Sequence, residues 1–213
     1  MINKVFNNLR PDAREELYKV RNDFLFHALD IIEKHGGQPW LDCGTLLGAY
    51  RDGDYIPWDN DLDLGIKIED VTEEMLTELR NTFNIRLENG TIEKYKFAAY
   101  YKRNDDGTNF KFKNSNFWFD LYMYYPGDKF RTMTVTTSSR KPKKIYPVPS
   151  HCVEKLEAIE WYGRKVFIPS STEEYLKQWY GDGWDTPDQE WEHSPNWYEN
   201  KAAASPEDAK KLF

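Results

Sequence analysis

Between Asp61 and Ile68 the chain reads DLDLGIKI, and this stretch limits the fold more than any other. Leu62, Leu64, Ile66 and Ile68 alternate with Asp61, Asp63, Gly65 and Lys67. Period two is that of a β-strand, with the apolar set on one face and both carboxylates on the other. The apolar face must be covered by other elements. Asp61 and Asp63 then lie about 7 Å apart at their Cα atoms, close enough for flexible side chains to converge on one divalent cation. Asp59 carries the alternation upstream, behind Pro57. Like charges this close need a compensating cation, a solvated turn or another cause.

The rest of the chain supplies cover for such a strand. Leu17, Val20, Phe24, Ala28 and Ile31 recur every three to four residues and predict a packing helix over 12–36. Asp12 with Glu15 resembles a capping box at its start, and Gly36 and Gly37 supply its stop. Residues 39–43 read as a short strand, 44–50 as a turn entering a short helix, 51–57 as a loop and 72–83 as a helix. Strands are expected near 85–88 and 92–103, with Asn89-Gly90 as a hairpin signal and 104–109 as a polar turn. A second alternating run puts Phe117, Phe119, Leu121 and Met123 on one face and Trp118, Asp120, Tyr122 and Tyr124 on the other. Asp120 is thus a carboxylate within an aromatic strand, where an unpaired charge is costly. The basic run RKPKK at 140–144 reads as a solvated loop. A strand at 165–168, a helix from Ser171 or Thr172, and a Trp-rich tail with 188–213 at its end complete one α+β domain over 1–213.

Composition excludes several function classes. Twenty-nine Lys and Arg against 36 Asp and Glu give a net charge of −7, which disfavours nucleic-acid binding through phosphate neutralisation. Cys43 and Cys152 are too few for a disulfide framework and have no Cys-x-x-Cys spacing. No stretch approaches about 18 uninterrupted apolar residues, and the first twenty have no signal-peptide core, so a cytoplasmic protein without a membrane span is expected. His151 beside Cys152 has the residue types of a nucleophile pair, but adjacent side chains seldom face each other, and the expected role is structural.

Carboxylates at alternate strand positions suit Mg²⁺ or Mn²⁺ rather than a soft metal. Asp120, from a neighbouring strand, is the natural third carboxylate beside Asp61 and Asp63, and such a set serves attack at phosphorus. The backbone N–H groups of Gly44 and Thr45, at a helix start, offer a cradle for a phosphate oxygen, and Arg51 a compensating charge. Solvated turn residues are the plain alternative for Asp59 and Asp61. Asp59, Asp61, Asp63 and Asp70 also fall on the first, third, fifth and twelfth positions of an EF-hand loop. There, however, Leu64 replaces the obligatory Gly, and the strand pattern continues to Ile68.

Gly44-Thr45-Leu46-Leu47-Gly48-Ala49, then Arg51, then Ile56-Pro57-Trp58-Asp59-Asn60-Asp61-Leu62-Asp63, closely resembles the signature of the LicD family, which includes the fukutin-type transferases. The resemblance continues in Phe119-Asp120-Leu121, Ile145-Tyr146-Pro147-Val148, Ile168-Pro169, Tyr175-Leu176, Tyr180-Gly181 and Trp184, so it spans about 40–187. It implies a nucleotidyltransferase-like mixed β-sheet flanked by helices, with Asp61, Asp63 and Asp120 as catalytic and metal-binding carboxylates. It further implies Mg²⁺- or Mn²⁺-dependent transfer of a phospho-alcohol, phosphocholine or ribitol phosphate, from a CDP-linked donor to a hydroxyl of a glycan or other acceptor, with release of CMP. Gly44, Thr45 and Arg51 are then donor-binding residues. Nucleotidyl transfer from an NTP and a non-catalytic nucleotide- or glycan-binding module remain open as alternatives.

Overall fold

The alternating stretch forms a strand, as its period requires, and the rest of the fold is arranged around it. The protein is described here from a computed structural model covering residues 11–59, 61–83, 95–98, 116–127, 129–135 and 144–191. Strands β1 (Trp40–Leu41), β2 (Asp61–Lys67), β3 (Tyr95–Ala98) and β4 (Asn116–Tyr124) make a mixed sheet in the order β1-β2-β4-β3. The β2–β4 pair is parallel, and the outer pairs, β1 with β2 and β3 with β4, are antiparallel. A parallel pair is covered on both faces, and β2 is accordingly buried without a break from Leu62 to Ile66, Asp63 included.

Helix α1 (Pro11–Lys34) covers the apolar face with the residues its periodicity marked: Leu17, Val20, Phe24, Ala28 and Ile31 are all buried. Phe24 meets Phe119 of β4 edge-on at 5.1 Å and Phe83, the last residue of α3 (Glu73–Phe83), at 4.3 Å. The helix begins at Pro11, so Asp12 stands inside the first turn rather than at the cap, and proline suits that first position. It stops where expected. Gly36, at φ +83°, and Gly37 return their N–H groups to the Glu33 and Ile32 carbonyls, each at 3.0 Å.

Several boundaries differ from the sequence expectation for local reasons. The strand expected at 39–43 ends at Leu41, because Asp42 caps helix α2 (Cys43–Leu47) through its side chain. That helix runs on into a π-helical turn, Gly48–Asp52, where a loop was expected from residue 51. Ile68 leaves the strand for a 3₁₀ turn, Ile68–Asp70. Two hairpins include strands that the residue pattern did not reveal: β5 (Phe130–Val135) with β6 (Lys144–Pro149), and β7 (Leu156–Trp161) with β8 (Arg164–Pro169). Tyr162 and Gly163 close the second one, both at positive φ, in place of the usual Asn-Gly signal. A short helix α4 (Ser150–Glu154), also unforeseen, precedes β7, and α5 (Thr172–Tyr180) starts where expected. The expectations for 85–90, 92–94, 99–109, 140–143 and 192–213 lie outside the described residues. No helix among the described residues is long and apolar enough to cross a membrane.

Arg131 anchors the β5–β6 hairpin, bonding Glu154 at 2.8 Å and Glu69 at 3.0 Å, while Lys67 reaches Glu154 at 3.1 Å. Arg164 ties the β7–β8 hairpin to α1 through the Phe26 carbonyl at 2.7 Å and Glu33 at 3.0 Å. On the sheet itself, the fully buried Trp40 ring lies in the space a Cβ on Gly65 would occupy, with its other neighbour, Tyr124, at 5.2 Å. Gly65→Ala is therefore expected to lower stability by about 1–3 kcal/mol through overpacking. Gly183→Ala, which enters open space, should stay within about 0.5 kcal/mol; urea denaturation of both variants measures the contrast.

Candidate active site

Three carboxylates meet at the N-terminal end of β2. Asp59 stands in the loop entering the strand, and Asp61 and Asp63 on the strand; one oxygen of each lies within 4.8 Å of the others. Asp63 is held from both ends. Its N–H donates to Thr45 Oγ1 at 2.9 Å, and its Oδ2 accepts from the N–H groups of Gly44 at 3.1 Å and Thr45 at 3.4 Å. The Gly-Thr pair, read from sequence as a phosphate cradle, thus aims its donors at the buried aspartate. A Cβ on Gly44 would meet Asp59 Oδ2, so a larger residue there would displace the Asp59 carboxylate.

The loop carrying Asp59 is fixed from α1. Arg21, almost fully buried, donates from Nη2 to the carbonyls of Asp59 at 2.9 Å and Asp61 at 3.1 Å, and its guanidinium lies 4.9 Å from the centre of the Tyr55 ring. The residue pattern offered no sign of this: Arg21 sits on a helix whose periodicity concerns only its apolar face.

Behind Asp63 lies a second buried acid. Asp42 is fully buried, and its N–H donates to the Asp63 carbonyl at 3.0 Å. Its carboxyl accepts from Tyr124 Oη at 2.7 Å, Tyr175 Oη at 2.5 Å and the Cys43 N–H at 2.7 Å. Asp120 is in register with Asp63 on β4, so Asp42, Asp63 and Asp120 form a row across the sheet. Asp120 is buried and accepts from Tyr122 Oη at 3.1 Å. Among the described residues the carboxylates that converge are therefore Asp59, Asp61 and Asp63, with Asp120 one strand away. Asp59 lay in plain view as the first of the alternating acids. Arg51 lies in the π turn, where Asp52 takes its guanidinium at 2.7 and 2.8 Å, and its Nη1 donates to the Trp184 carbonyl at 3.4 Å. His151 and Cys152 do face each other, with Nε2 and Sγ 3.6 Å apart, but on α4, outside this cluster.

The electrostatics follow from the crowding. Burial, then the charges of Asp61, Asp59, Asp120 and Asp42, push Asp63 well above the ordinary carboxylate range. Desolvation and Asp61 do the same to Asp59, against the opposing pull of Arg21. Burial and the surrounding acids push the Cys43 thiol well up, and burial, then Cys43, Asp63, Asp59 and Asp42, raise the Tyr180 hydroxyl at the end of α5. Converging oxygens with proton affinities this high suit a hard divalent cation: the donor set is all oxygen, and a cation would take the place of protons.

The pH dependence of stability has a definite sign. Asp59 and Asp63 keep protons in the folded, cation-free protein at pH values where the unfolded chain has released them, so their contribution to stability declines as pH rises above about 4. Melting curves from about pH 5 to 8 should show that decline in wild type, a shallower slope in Asp63→Asn, and recovery on adding Mg²⁺ or Mn²⁺. Arg21→Met, which strips two carbonyls of their donor, should cost about 2–4 kcal/mol in the same assay.

The chain matches the family described as "LicD/FKTN/FKRP, nucleotidyltransferase domain" over residues 36–171, more than half its length. It is 29% identical over 160 residues to mouse "Ribitol 5-phosphate transferase FKRP", covering 74% of this chain and 30% of that protein. It is 27% identical over 177 residues to "Ribitol-5-phosphate transferase FKTN" of Macaca fascicularis, covering 82% of this chain and 35% of that one. The chain therefore spans about a third of the length of these relatives. A solved structure of the antibiotic-resistance factor ANT(2'')-Ia aligns with 82% of this chain and 78% of its own at TM-score 0.47 and 15% identity. The sheet and helices built around Asp61 and Asp63, together with the match over 36–171, place this chain in the LicD/FKTN/FKRP family.

Proposed function

We propose that this protein transfers a phospho-alcohol from a CDP-linked donor to a hydroxyl, of a glycan or similar acceptor, with release of CMP. The observation that carries this reading is the convergence of Asp59, from the loop entering β2, with Asp61 and Asp63 on one face of the sheet, beside Asp120. The relatives, named as ribitol-phosphate transferases, support the same class of reaction.

In this reading Asp61 and Asp63, with Asp59, hold a divalent cation, Mg²⁺ or Mn²⁺. When bound, that cation supplies charge neutralisation for the donor's pyrophosphate and the departing CMP. Arg21 keeps the Asp59 and Asp61 backbone in place, and the Gly44 and Thr45 N–H groups orient Asp63. Asp120 receives the acceptor hydroxyl and takes its proton as the oxygen bonds to the distal phosphorus and the bond to the CMP oxygen breaks. Arg51 exchanges Asp52 for a donor phosphate oxygen, with Trp184 at its side.

Calorimetric titration with CDP-ribitol, CDP-choline, CDP and CTP, with Mg²⁺ or Mn²⁺, tests binding, and chromatographic detection of CMP tests turnover. Cation-dependent binding of a CDP-alcohol and CMP formation are expected, both reduced about a hundredfold or more in Asp61→Asn and Asp63→Asn with the fold intact. Preference for CTP with pyrophosphate as product would replace this reading with nucleotidyl transfer. Binding without turnover in the presence of a hydroxyl acceptor would leave a binding module, and failure to bind any cytidine nucleotide would overturn all three.

A further inference from the structure

His151 and Cys152, next to each other on α4, converge with Glu174 of α5. Glu174 Oε2 lies 2.8 Å from His151 Nε2, Cys152 Sγ lies 3.6 Å from the same nitrogen, and a donor atom of each lies within 4.8 Å of the others. Nothing in the reaction proposed above uses them. Their donor chemistry also differs in kind from that of the aspartate cluster, offering one sulfur, one imidazole nitrogen and one carboxylate oxygen in place of oxygen alone. That mixed set suits a borderline cation such as Zn²⁺ and is foreign to Mg²⁺.

We propose that His151, Cys152 and Glu174 form a second metal site, selective for a thiophilic divalent cation of the zinc class. The spacing fits. Tetrahedral zinc with a sulfur at about 2.3 Å and a nitrogen at about 2.0–2.1 Å sets those two ligands about 3.5 Å apart, against the 3.6 Å between Sγ and Nε2. The nitrogen–oxygen pair is at hydrogen-bond distance and has to open to about 3.4 Å when a cation replaces the proton between them. Both side chains are free to make that shift, being 59% and 56% exposed. Cys152 is fully buried, so the sulfur lies on the protein side and the other two ligands face solvent. Binding displaces the thiol proton, and three protein ligands leave the fourth position to water.

Occupancy would tie α4 to α5 more firmly than the His151–Glu174 contact already does. Since α5 also carries Tyr175, which bonds Asp42 behind Asp63, the site braces the support of the aspartate cluster without touching it.

Cobalt(II) titration of the full chain provides the test, because a thiolate ligand gives an intense sulfur-to-metal charge-transfer band in the near ultraviolet and an all-oxygen site does not. The band should saturate at one equivalent and bleach when Zn²⁺ is added. It should vanish in Cys152→Ser, persist in Cys43→Ser and in Asp61→Asn, and require at least about tenfold more cobalt in His151→Ala and Glu174→Gln. Circular dichroism establishes whether Cys152→Ser folds. If it does not, the two surface variants decide the matter. Absence of the band, a band that follows Cys43 instead, or unchanged cobalt affinity in both surface variants would each overturn the site and leave an ordinary His–Glu ion pair beside an inert thiol.

Discussion

The mutual repulsion of Asp59, Asp61 and Asp63 is the constraint around which the structure is organised. With carboxylate oxygens within 4.8 Å of one another, each fully ionised pair costs about 3 kcal/mol at an effective dielectric of about 20. Two backbone N–H groups on Asp63 contribute about 1.5–3 kcal/mol each as hydrogen bonds to a charged acceptor. They favour one carboxylate, and Arg21 offsets part of the repulsion at Asp59. Protons or a divalent cation must supply the remainder, and burial, with the neighbouring aspartates adding to it, raises the proton affinity of both Asp59 and Asp63.

The sheet divides the labour between its faces. On one side Leu62, Leu64, Phe119 and Leu121 pack beneath α1 and α3 and form a rigid apolar floor. On the other, Asp42, Asp63 and Asp120 run in a row, with tyrosine hydroxyls bonding Asp42 and Asp120 and helix N–H groups bonding Asp63 and Asp42. Parallel pairing of β2 with β4 puts Asp63 and Asp120 side by side, and the short β1 adds Asp42. Arg21 crosses from the packing helix to the acid loop, so the stability of the core and the shape of the site are coupled through a single buried guanidinium.

Much of this was legible in the residues. Period-two alternation placed Asp61 and Asp63 on one strand face, and period-three-to-four spacing placed α1, because both patterns record burial directly. Gly36 and Gly37 end α1 as their backbone freedom allows. Short elements whose residues carry no strong period, α4, β5, β6 and β7, were hidden. So was the Tyr162-Gly163 turn, whose first residue is atypical for positive φ.

Local spacing and motif order, written along one dimension, are enough to put alternate carboxylates on one strand face and to reveal a LicD-type signature. Which groups answer those carboxylates is set only when the chain folds. Arg21 is 38 residues from Asp59, Tyr175 is 133 from Asp42, and the donors at Gly44 and Thr45 are 19 and 18 from Asp63. Separations of that size follow no periodicity; they are set when burial of the apolar face fixes the order of strands and helices, and with it which polar groups are left to meet.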